Sequence, residues 1–200
     1  MSSPTLIHAR LDAPETTPMI EALISEYSRR YPDDSAFNVA EEMALYPPLL
    51  FTPPHGDFLL IRQAGETIAG GGFMYLDEET AEIKRMWTSP DHRRQGLART
   101  LVSALEAEIG ARGYRRIYLT TGARQPEAQQ MYRHLGYTPL FDETADPESL
   151  GILAFEKEIT PGREGLLIGD PELAEQQKRT LEELLAVHPL PEIRLKDLDR

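Results

Sequence analysis

The chain has 200 residues, of which 40% are hydrophobic and 27% are charged, with a formal net charge of -12 and no cysteine. This length predicts a single domain that folds without staples, and the lack of cysteine excludes disulfides, cysteine-ligated metals and a cysteine nucleophile. The negative charge argues against nucleic acids and anionic membranes as partners. No signal peptide and no apolar run of membrane-spanning length are visible, so a cytoplasmic location is expected.

The N-terminal part is predicted to contain one strand and two helices. Residues Thr5–Leu11 alternate weakly, as in a strand, and a proline-bracketed helix follows in which Met19, Leu23 and Tyr27 recur every four residues. A second helix is expected over Phe37–Leu45. The proline-rich loop after it is long enough to be functional, and we expect it to line a substrate mouth.

A three-stranded antiparallel meander is predicted next. Its strands are Asp57–Gln63, Thr67–Leu76 and Ala81–Thr88, joined by short turns. The middle strand contains three consecutive glycines, Gly70 to Gly72. A bulge or the close approach of a helix explains them better than phosphate binding, although both interpretations are open.

The remaining pattern alternates helices and strands. An amphipathic helix begins at Leu97 and closes at Gly110 or Gly113, and a second begins near Gln125. The strands are expected at Arg116–Thr121, Tyr137–Leu140 and Ile152–Glu158. The fold class is therefore α+β, with a mixed, mostly antiparallel central sheet flanked by helices.

The C-terminal residues depart from this pattern. We expect a main domain over residues 1–159 and an added extension over residues 160–200, with a helix over Glu172–Ala186 and an extended tail. One helix cannot form a second domain. It packs on the main domain, mediates a homodimer or frays, and the sequence leaves these alternatives open.

The segment MWTSPDHRRQGLAR, Met86 to Arg99, carries the strongest chemical signal. A strand leads into a loop with two arginines and Gly96, and an amphipathic helix follows at once. Backbone N–H groups and the helix dipole make such a helix start an anion site, and glycine lets a ligand approach the backbone. Arginines add bidentate phosphate donors, so a pyrophosphate is the predicted ligand, with a solvated basic helix start as the alternative.

Two motifs in this chain resemble those of one family. Arg93-x-x-Gly96-x-Ala98, between a strand and a helix, resembles the acyl-CoA pyrophosphate signature of the GNAT superfamily of N-acyltransferases. The stretch QPEAQQMYRHLGYTPL resembles the later motif of that superfamily, and the order of elements also matches. The resemblance covers roughly residues 5 to 159 and implies an acetyl-CoA co-substrate.

The resemblance also implies the residues of a cofactor site. The strand before the loop would bind the pantetheine arm through its backbone, with one N–H polarising the thioester carbonyl. Gln125 stands where many members have an asparagine that contacts pantetheine. The implied cofactor-binding residues are Met86, Trp87, Thr88, Arg93, Arg94, Gln95, Gly96, Leu97, Ala98, Arg99 and Gln125.

Two residues are predicted to catalyse transfer. An alkylamine is protonated at neutral pH, so a carboxylate must remove its proton directly or through water, and Glu82 is the candidate. Strand alternation places Glu82, Lys84 and Met86 on one face. An ion pair of Glu82 with Lys84 or Arg85 is the structural alternative. The resemblance makes Tyr132 the general acid for the thiolate, against a purely core role.

The predicted function is acetyl transfer from acetyl-CoA to the primary amine of a small molecule. An acidic rim that includes Glu41, Glu42 and Glu78 would suit a cationic acceptor, although a solvated surface explains these residues equally well. A non-catalytic acyl-CoA-binding regulatory or interaction module is the alternative. Five scattered histidines lack metal-ligand spacing, so no metal is expected.

Overall fold

Seven strands form one sheet in the computed structural model, which describes residues 2–32, 43–162 and 170–188. The strands are β1 (Thr5–His8), β2 (Asp57–Gln63), β3 (Glu66–Tyr75), β4 (Thr80–Thr88), β5 (Arg116–Gly122), β6 (Thr138–Pro139) and β7 (Ile152–Glu158). Their order in the sheet is β1-β2-β3-β4-β5-β7-β6, and the pairings are antiparallel except for β4 with β5. The mixed, mostly antiparallel sheet predicted from the sequence is therefore confirmed.

Helices flank this sheet on both faces. They are α1 (Thr17–Arg30), α2 (Leu97–Ala111), α3 (Pro126–His134), α4 (Pro147–Leu150) and α5 (Pro171–Val187), with short 3-10 helices at Pro48–Phe51 and Pro90–His92. Most of the helix predicted at Phe37–Leu45 lies outside the described residues, and residues 43–45 are helical. The helix α4 was not predicted, and its N-cap Asp146 accepts a hydrogen bond from the backbone N–H of Glu148.

The sheet separates two hydrophobic clusters because alternate residues of each strand point to opposite faces. On the α2 face, Leu59 and Ile61 of β2 pack in one cluster with Leu101 and Leu105 of α2. On the α1 face, neighbouring β2 residues pack instead with α1 and α5, and this cluster includes Met19, Leu23, Tyr46, Phe51, Phe58, Leu60, Trp87 and Leu181. Because β2 contributes to both clusters, it has almost no exposed face, which explains its continuous apolar run.

The three consecutive glycines of β3 allow close packing. A Cβ at Gly70 would overlap the sulfur of Met19, and one at Gly71 would overlap the sulfur of Met86. Both φ values lie outside the left-handed region, since neither glycine has a positive φ. The glycines are therefore needed for space, which agrees with the close-packing interpretation of the sequence.

A bulge in β4 changes which side chains share a face. The β3–β4 register shifts between Gly70 and Gly72, opposite Arg85, whose φ is 60°. Arg85 consequently lies on the α1 face, with its guanidinium 5.4 Å from the ring of Phe51, while Met86 packs against the α2 face. The predicted grouping of Met86 with Glu82 is therefore wrong, because simple alternation fails at a bulge.

The C-terminal helix α5 packs on the main body of the protein. Leu181 and Gln177 are 2% and 1% exposed, and α5 contacts β3 and the 3-10 helix at Pro48–Phe51. Residues 189–200, predicted as a tail, lie outside the described residues. In the described ranges, no helix combines the length and the apolar character that crossing a membrane requires.

Candidate active site

The strands β4 and β5 separate at the centre of the sheet and open a cavity of about 460 Å³. Their pairing ends at Ile83 and Leu119, although β4 continues to Thr88 and β5 to Gly122. The cavity contains most of the predicted site: Met86, Trp87, Thr88, Arg93, Arg94, Gly96, Leu97, Ala98, Arg99, Gln125 and Tyr132 line it. Glu82 and Gln95 are not among its lining residues.

One end of the cavity is formed by the loop between β4 and α2. Gly96 is the N-cap of α2, has a φ of 80°, and makes no side-chain capping bond. A Cβ added at Gly96 would have no protein atom within 4 Å, so this side of the loop is open. The first N–H groups of a helix lack intrahelical partners. Together with Arg94 and Arg99, which line the same end, they form a cationic cradle suited to a phosphate group.

The helix α1 forms another wall of the cavity. The sequence predicts that an acceptor binds between the N-terminal helices, the Tyr46–His55 loop and the sheet, but it identifies no residue of α1 as a site residue. Leu23, Glu26, Tyr27 and Arg30 line the cavity from one face of α1. Their spacing of three and four residues follows the helical period, but only the apolar part of this stripe is visible in the sequence. Nothing in the sequence signals that the stripe meets the phosphate loop.

Ion pairs connect α1 to the loop before α2 and to the start of α3. The carboxylate of Glu26 lies 2.8 Å from Nη2 of Arg93 and 2.6 Å from Nη2 of Arg30. Arg30 also pairs with Glu127 at the start of α3, and its Nη1 donates to the carbonyl oxygen of Arg124 at 2.7 Å. Burial raises the pKa of Glu127, but the hydrogen bond and the charge of Arg30 outweigh it, so the pKa is lowered overall.

Tyr132 enters the cavity from α3. Its side chain is buried, and its ring lies 5.5 Å from Tyr137 and 5.9 Å from Phe155 in the cluster on the α2 face. Burial, with a smaller contribution from Tyr27, raises the pKa of the Tyr132 hydroxyl above its ordinary value. The hydroxyl therefore keeps its proton at neutral pH.

Glu82 lies on the α1 face, next to the cavity but outside its lining. It is completely buried, and its Oε1 is 3.2 Å from Nζ of Lys84. Lys84 lines the cavity and lies 4.2 Å from the centre of the Tyr46 ring. The ion pair that the sequence left as the alternative for Glu82 is therefore present, and of the two residues only Lys84 lines the cavity.

Other predicted residues have defined surroundings. Gln125 lines the cavity, and its Oε1 accepts a hydrogen bond from Oγ1 of Thr121 at 3.0 Å. The turn that contains Glu78 precedes β4 at the end remote from Thr88, where Glu78 pairs with Lys178 at 2.7 Å, so it is no part of a cavity rim. Glu41 and Glu42 lie outside the described residues.

The described residues contain one cluster with metal-ligand atoms, away from the cavity. Nδ1 of His8 lies 3.0 Å from Oδ2 of Asp57, and Glu108 is beside them. Arg112 donates to both carboxylates, at 2.6 and 2.7 Å. Since the guanidinium already hydrogen-bonds both carboxylates, we assign no metal to the cluster.

Comparison with known proteins identifies the family. The model of the acetyltransferase (GNAT) family matches residues 17–137, which include the whole cavity lining. The chain belongs to the GNAT acetyltransferase family. It is 27% identical over 128 residues to the uncharacterized N-acetyltransferase YjgM of Escherichia coli, covering 62% of this chain and 77% of that relative.

Solved GNAT structures share the fold. An acetyltransferase from Streptococcus agalactiae has a TM-score of 0.61 at 16% identity, covering 80% of this chain and 100% of that one. A GNAT acetyltransferase from Elizabethkingia anophelis with acetyl-CoA bound has a TM-score of 0.53 at 13% identity, with the same coverage. At these identities the similarity concerns the fold alone.

Proposed function

We propose that this GNAT protein transfers the acetyl group of acetyl-CoA to the primary amine of a small molecule. The proposal depends on one observation. The glycine loop at the start of α2 and the edge of β4 that has separated from β5 line the same cavity. The loop offers N–H groups and arginines to a pyrophosphate. The edge of β4 beyond Ile83, where its pairing with β5 has ended, offers backbone groups to a peptide-like arm.

The residues present fit an acyl-CoA. Gly96 leaves open space above the helix start, where a side chain would stand in the path of the phosphates. Arg94 and Arg99 supply the positive charge, and Met86, Trp87 and Thr88 supply the strand edge. Gln95 contributes only its backbone N–H in this proposal, since it is not among the residues that line the cavity.

In the proposed reaction the acetyl carbon exchanges its bond to sulfur for a bond to nitrogen. One proton leaves the amine, and another is delivered to the sulfur. Acetyl-CoA, when bound, supplies a thioester carbon as the electrophile, and the carbon–sulfur bond breaks as the carbon–nitrogen bond forms. A backbone N–H of β4 would hydrogen-bond the carbonyl oxygen as negative charge develops on it. Tyr132 would return a proton to the sulfur, for which its raised pKa keeps it protonated.

The general base is proposed to be Glu82, acting through a water molecule. The carboxylates that line the cavity in the described structure are Glu26 and Glu127, and both are held by arginines. Glu82 is paired with the ammonium group of Lys84 and does not line the cavity, so in this proposal a water molecule carries the proton from the amine to its carboxylate.

The acceptor is proposed to bind on the α1 face. Leu23 and Tyr27 of α1, with Lys84 and Arg85 of β4, form this side of the cavity. The phosphate loop lies at the other end, so the two substrates would meet at the opened edge of β4. A small amine suits a cavity of about 460 Å³ that it must share with the acyl end of the cofactor.

Thiol release from acetyl-CoA across a panel of primary amines tests the proposal. The panel contains amino acids, polyamines and aminoglycosides, and mass spectrometry of the product identifies an N-acetylated amine. Release that depends on one class of amine is the expected result. Tight CoA binding with no release on any amine would favour the alternative, an acyl-CoA-binding regulatory module.

A further inference from the structure

Gln177 of α5 is a polar residue that is 1% exposed and fully engaged in hydrogen bonds. Its Nε2 lies 2.9 Å from the carbonyl oxygen of Leu49, 2.7 Å from that of Thr52 and 3.2 Å from Oγ1 of Thr52. Its Oε1 accepts a bond from the backbone N–H of His55 at 3.3 Å. One amide from the C-terminal helix therefore holds the turn between residues 49 and 55, more than 120 residues earlier in the chain.

This turn supports the α1 side of the cavity. Phe51, within the turn, lies 5.4 Å from the guanidinium carbon of Arg85. Just before it, the carbonyl oxygen of Met43 accepts a bond from Nη2 of Arg85 at 2.9 Å, and Tyr46 lies over Lys84. The segment from residue 43 to residue 55 thus positions both cationic side chains that β4 presents to the cavity on this face.

The apolar side of α5 reaches the same wall. Leu181 belongs to one buried cluster with Phe51, Leu23 and Trp87, and the last two line the cavity. The helix α5 lies outside residues 17–137, which the family model matches. An element outside the matched region therefore packs behind the proposed acceptor side.

We propose that Gln177 is a positioning residue for the acceptor, acting through the 49–55 turn on Lys84 and Arg85. This inference rests on the proposed function. Removing the amide would take away the acceptor of the buried His55 N–H and would leave the carbonyl oxygens of Leu49 and Thr52 with one donor each, which favours rearrangement of the turn. The acceptor side would then be distorted, while the glycine loop and the start of α2 would keep their structure.

A matched pair of variants separates positioning from simple stabilisation. Gln177→Met removes the hydrogen bonds at nearly constant volume, and Gln176→Met makes the same change at the exposed neighbouring position. Acceptor KM and kcat are measured with the most active amine of the panel. CoA affinity is measured by titrating the fluorescence of Trp87, the single tryptophan, which lines the cavity.

We expect Gln177→Met to raise the acceptor KM about fivefold or more and to leave the CoA Kd within about twofold. Gln176→Met should change neither. An unchanged acceptor KM in Gln177→Met, or an equal loss of acceptor and CoA binding, would overturn the inference. If Gln177→Met does not fold, Thr52→Val is used instead. It removes the hydroxyl that accepts from Gln177 and donates to the carbonyl oxygen of Leu49, and it must likewise raise the acceptor KM while leaving the CoA Kd unchanged.

Failure of the proposed function gives a different result. A wild-type chain that binds CoA and acetylates no amine overturns the proposed function, and the inference with it. A wild-type chain that acetylates an amine, together with a Gln177→Met chain of wild-type acceptor KM, overturns the inference alone.

Discussion

The carboxylate of Glu26 on α1 binds the guanidinium of Arg93 in the phosphate loop, with Nη2 of Arg93 at 2.8 and 3.0 Å from the two carboxylate oxygens. Arg93 is the first residue of the loop motif and was predicted to contact the cofactor. In the structure Arg93 lines the cavity, and its guanidinium is paired with the carboxylate of a residue 67 positions earlier in the chain. The bond ties the wall next to the proposed acceptor side to the loop proposed to hold the phosphates.

This pairing predicts unequal roles for two adjacent arginines. Arg94→Gln should weaken CoA binding about tenfold or more, because Arg94 lines the cavity and no hydrogen bond or ion pair of its side chain is present among the described residues. Arg93→Gln should weaken it less than threefold, because Glu26 already neutralises Arg93. Isothermal titration with CoA at two salt concentrations measures both, and equal losses would show that Arg93 binds phosphate directly.

Gly96 should be required for binding more than for folding. Gly96→Ala introduces a Cβ at a φ of 80°, which costs about 1–2 kcal/mol, and places it above the helix start. Gly65→Ala is the matched control, since Gly65 has a φ of 88°, similarly open surroundings and a place in the β2–β3 turn. Both variants should lower Tm to a similar extent, and Gly96→Ala alone should raise the CoA Kd about tenfold. A normal CoA Kd in Gly96→Ala would contradict the proposed cradle.

Tyr132→Phe should lower kcat about tenfold or more and leave the CoA Kd unchanged, because only the hydroxyl is removed. Tyr137→Phe is the control, as this neighbouring buried tyrosine does not line the cavity. Because burial raises the pKa of Tyr132, the acid form persists as pH rises, and wild-type kcat should not fall between about pH 7 and 9.5. A Tyr132→Phe chain with wild-type kcat would exclude it as the acid.

Glu82→Gln should reduce kcat/KM about a hundredfold at neutral pH. The loss should shrink as pH approaches about 10, where a free alkylamine no longer needs a base. Since the substitution also leaves Lys84 without this carboxylate, the double variant Glu82→Gln/Lys84→Met separates the two effects. The double variant should regain thermal stability and remain inactive. Recovery of activity along with stability would show that Glu82 is structural.

His55 should make the protein less stable in acid. The residue is 4% exposed, its Nε2 has no partner in the described part of the chain, and burial lowers its pKa, as does Lys178. Glu78 and Glu175 oppose this shift without reversing it. Below about pH 6.5 the unfolded chain therefore binds a proton that the folded chain resists, and stability falls as pH decreases.

The measurement is Tm between pH 7.5 and 5.5. Wild type should lose more Tm over this range than His55→Gln does. The exposed His134→Gln is the control and should follow wild type. Equal slopes for wild type and His55→Gln would show that His55 does not titrate on unfolding.

Local features of the site were accessible from the sequence. The strand–loop–helix order around Gly96, the start of α2 at Leu97 and the position of Tyr132 on a helix depend on residues close together in the chain. Glycine at a helix start and a helical repeat of leucines act over one or two turns. The bounds predicted for β2 and β7 also agree with the structure, because turn residues flank both strands.

Long-range features were not accessible. The bulge at Arg85 depends on the register with the glycines of β3, so the alternation that grouped Met86 with Glu82 failed. The contacts of Glu26 with Arg93 and of Gln177 with Leu49 join residues 67 and 128 positions apart.

The charges of the chain show the same difference between what the sequence determines and what the tertiary structure determines. The sequence by itself determined a net charge of -12, with eight basic and three acidic residues between Lys84 and Arg116. It thereby located a basic strip suited to a small polyanion inside an acidic protein. Only the tertiary structure decided which of those cations remain available, because carboxylates from distant elements pair with Arg93 and Arg112. Charge is a property of composition, whereas the pairing of charges depends on distances of a few ångströms that only folding sets.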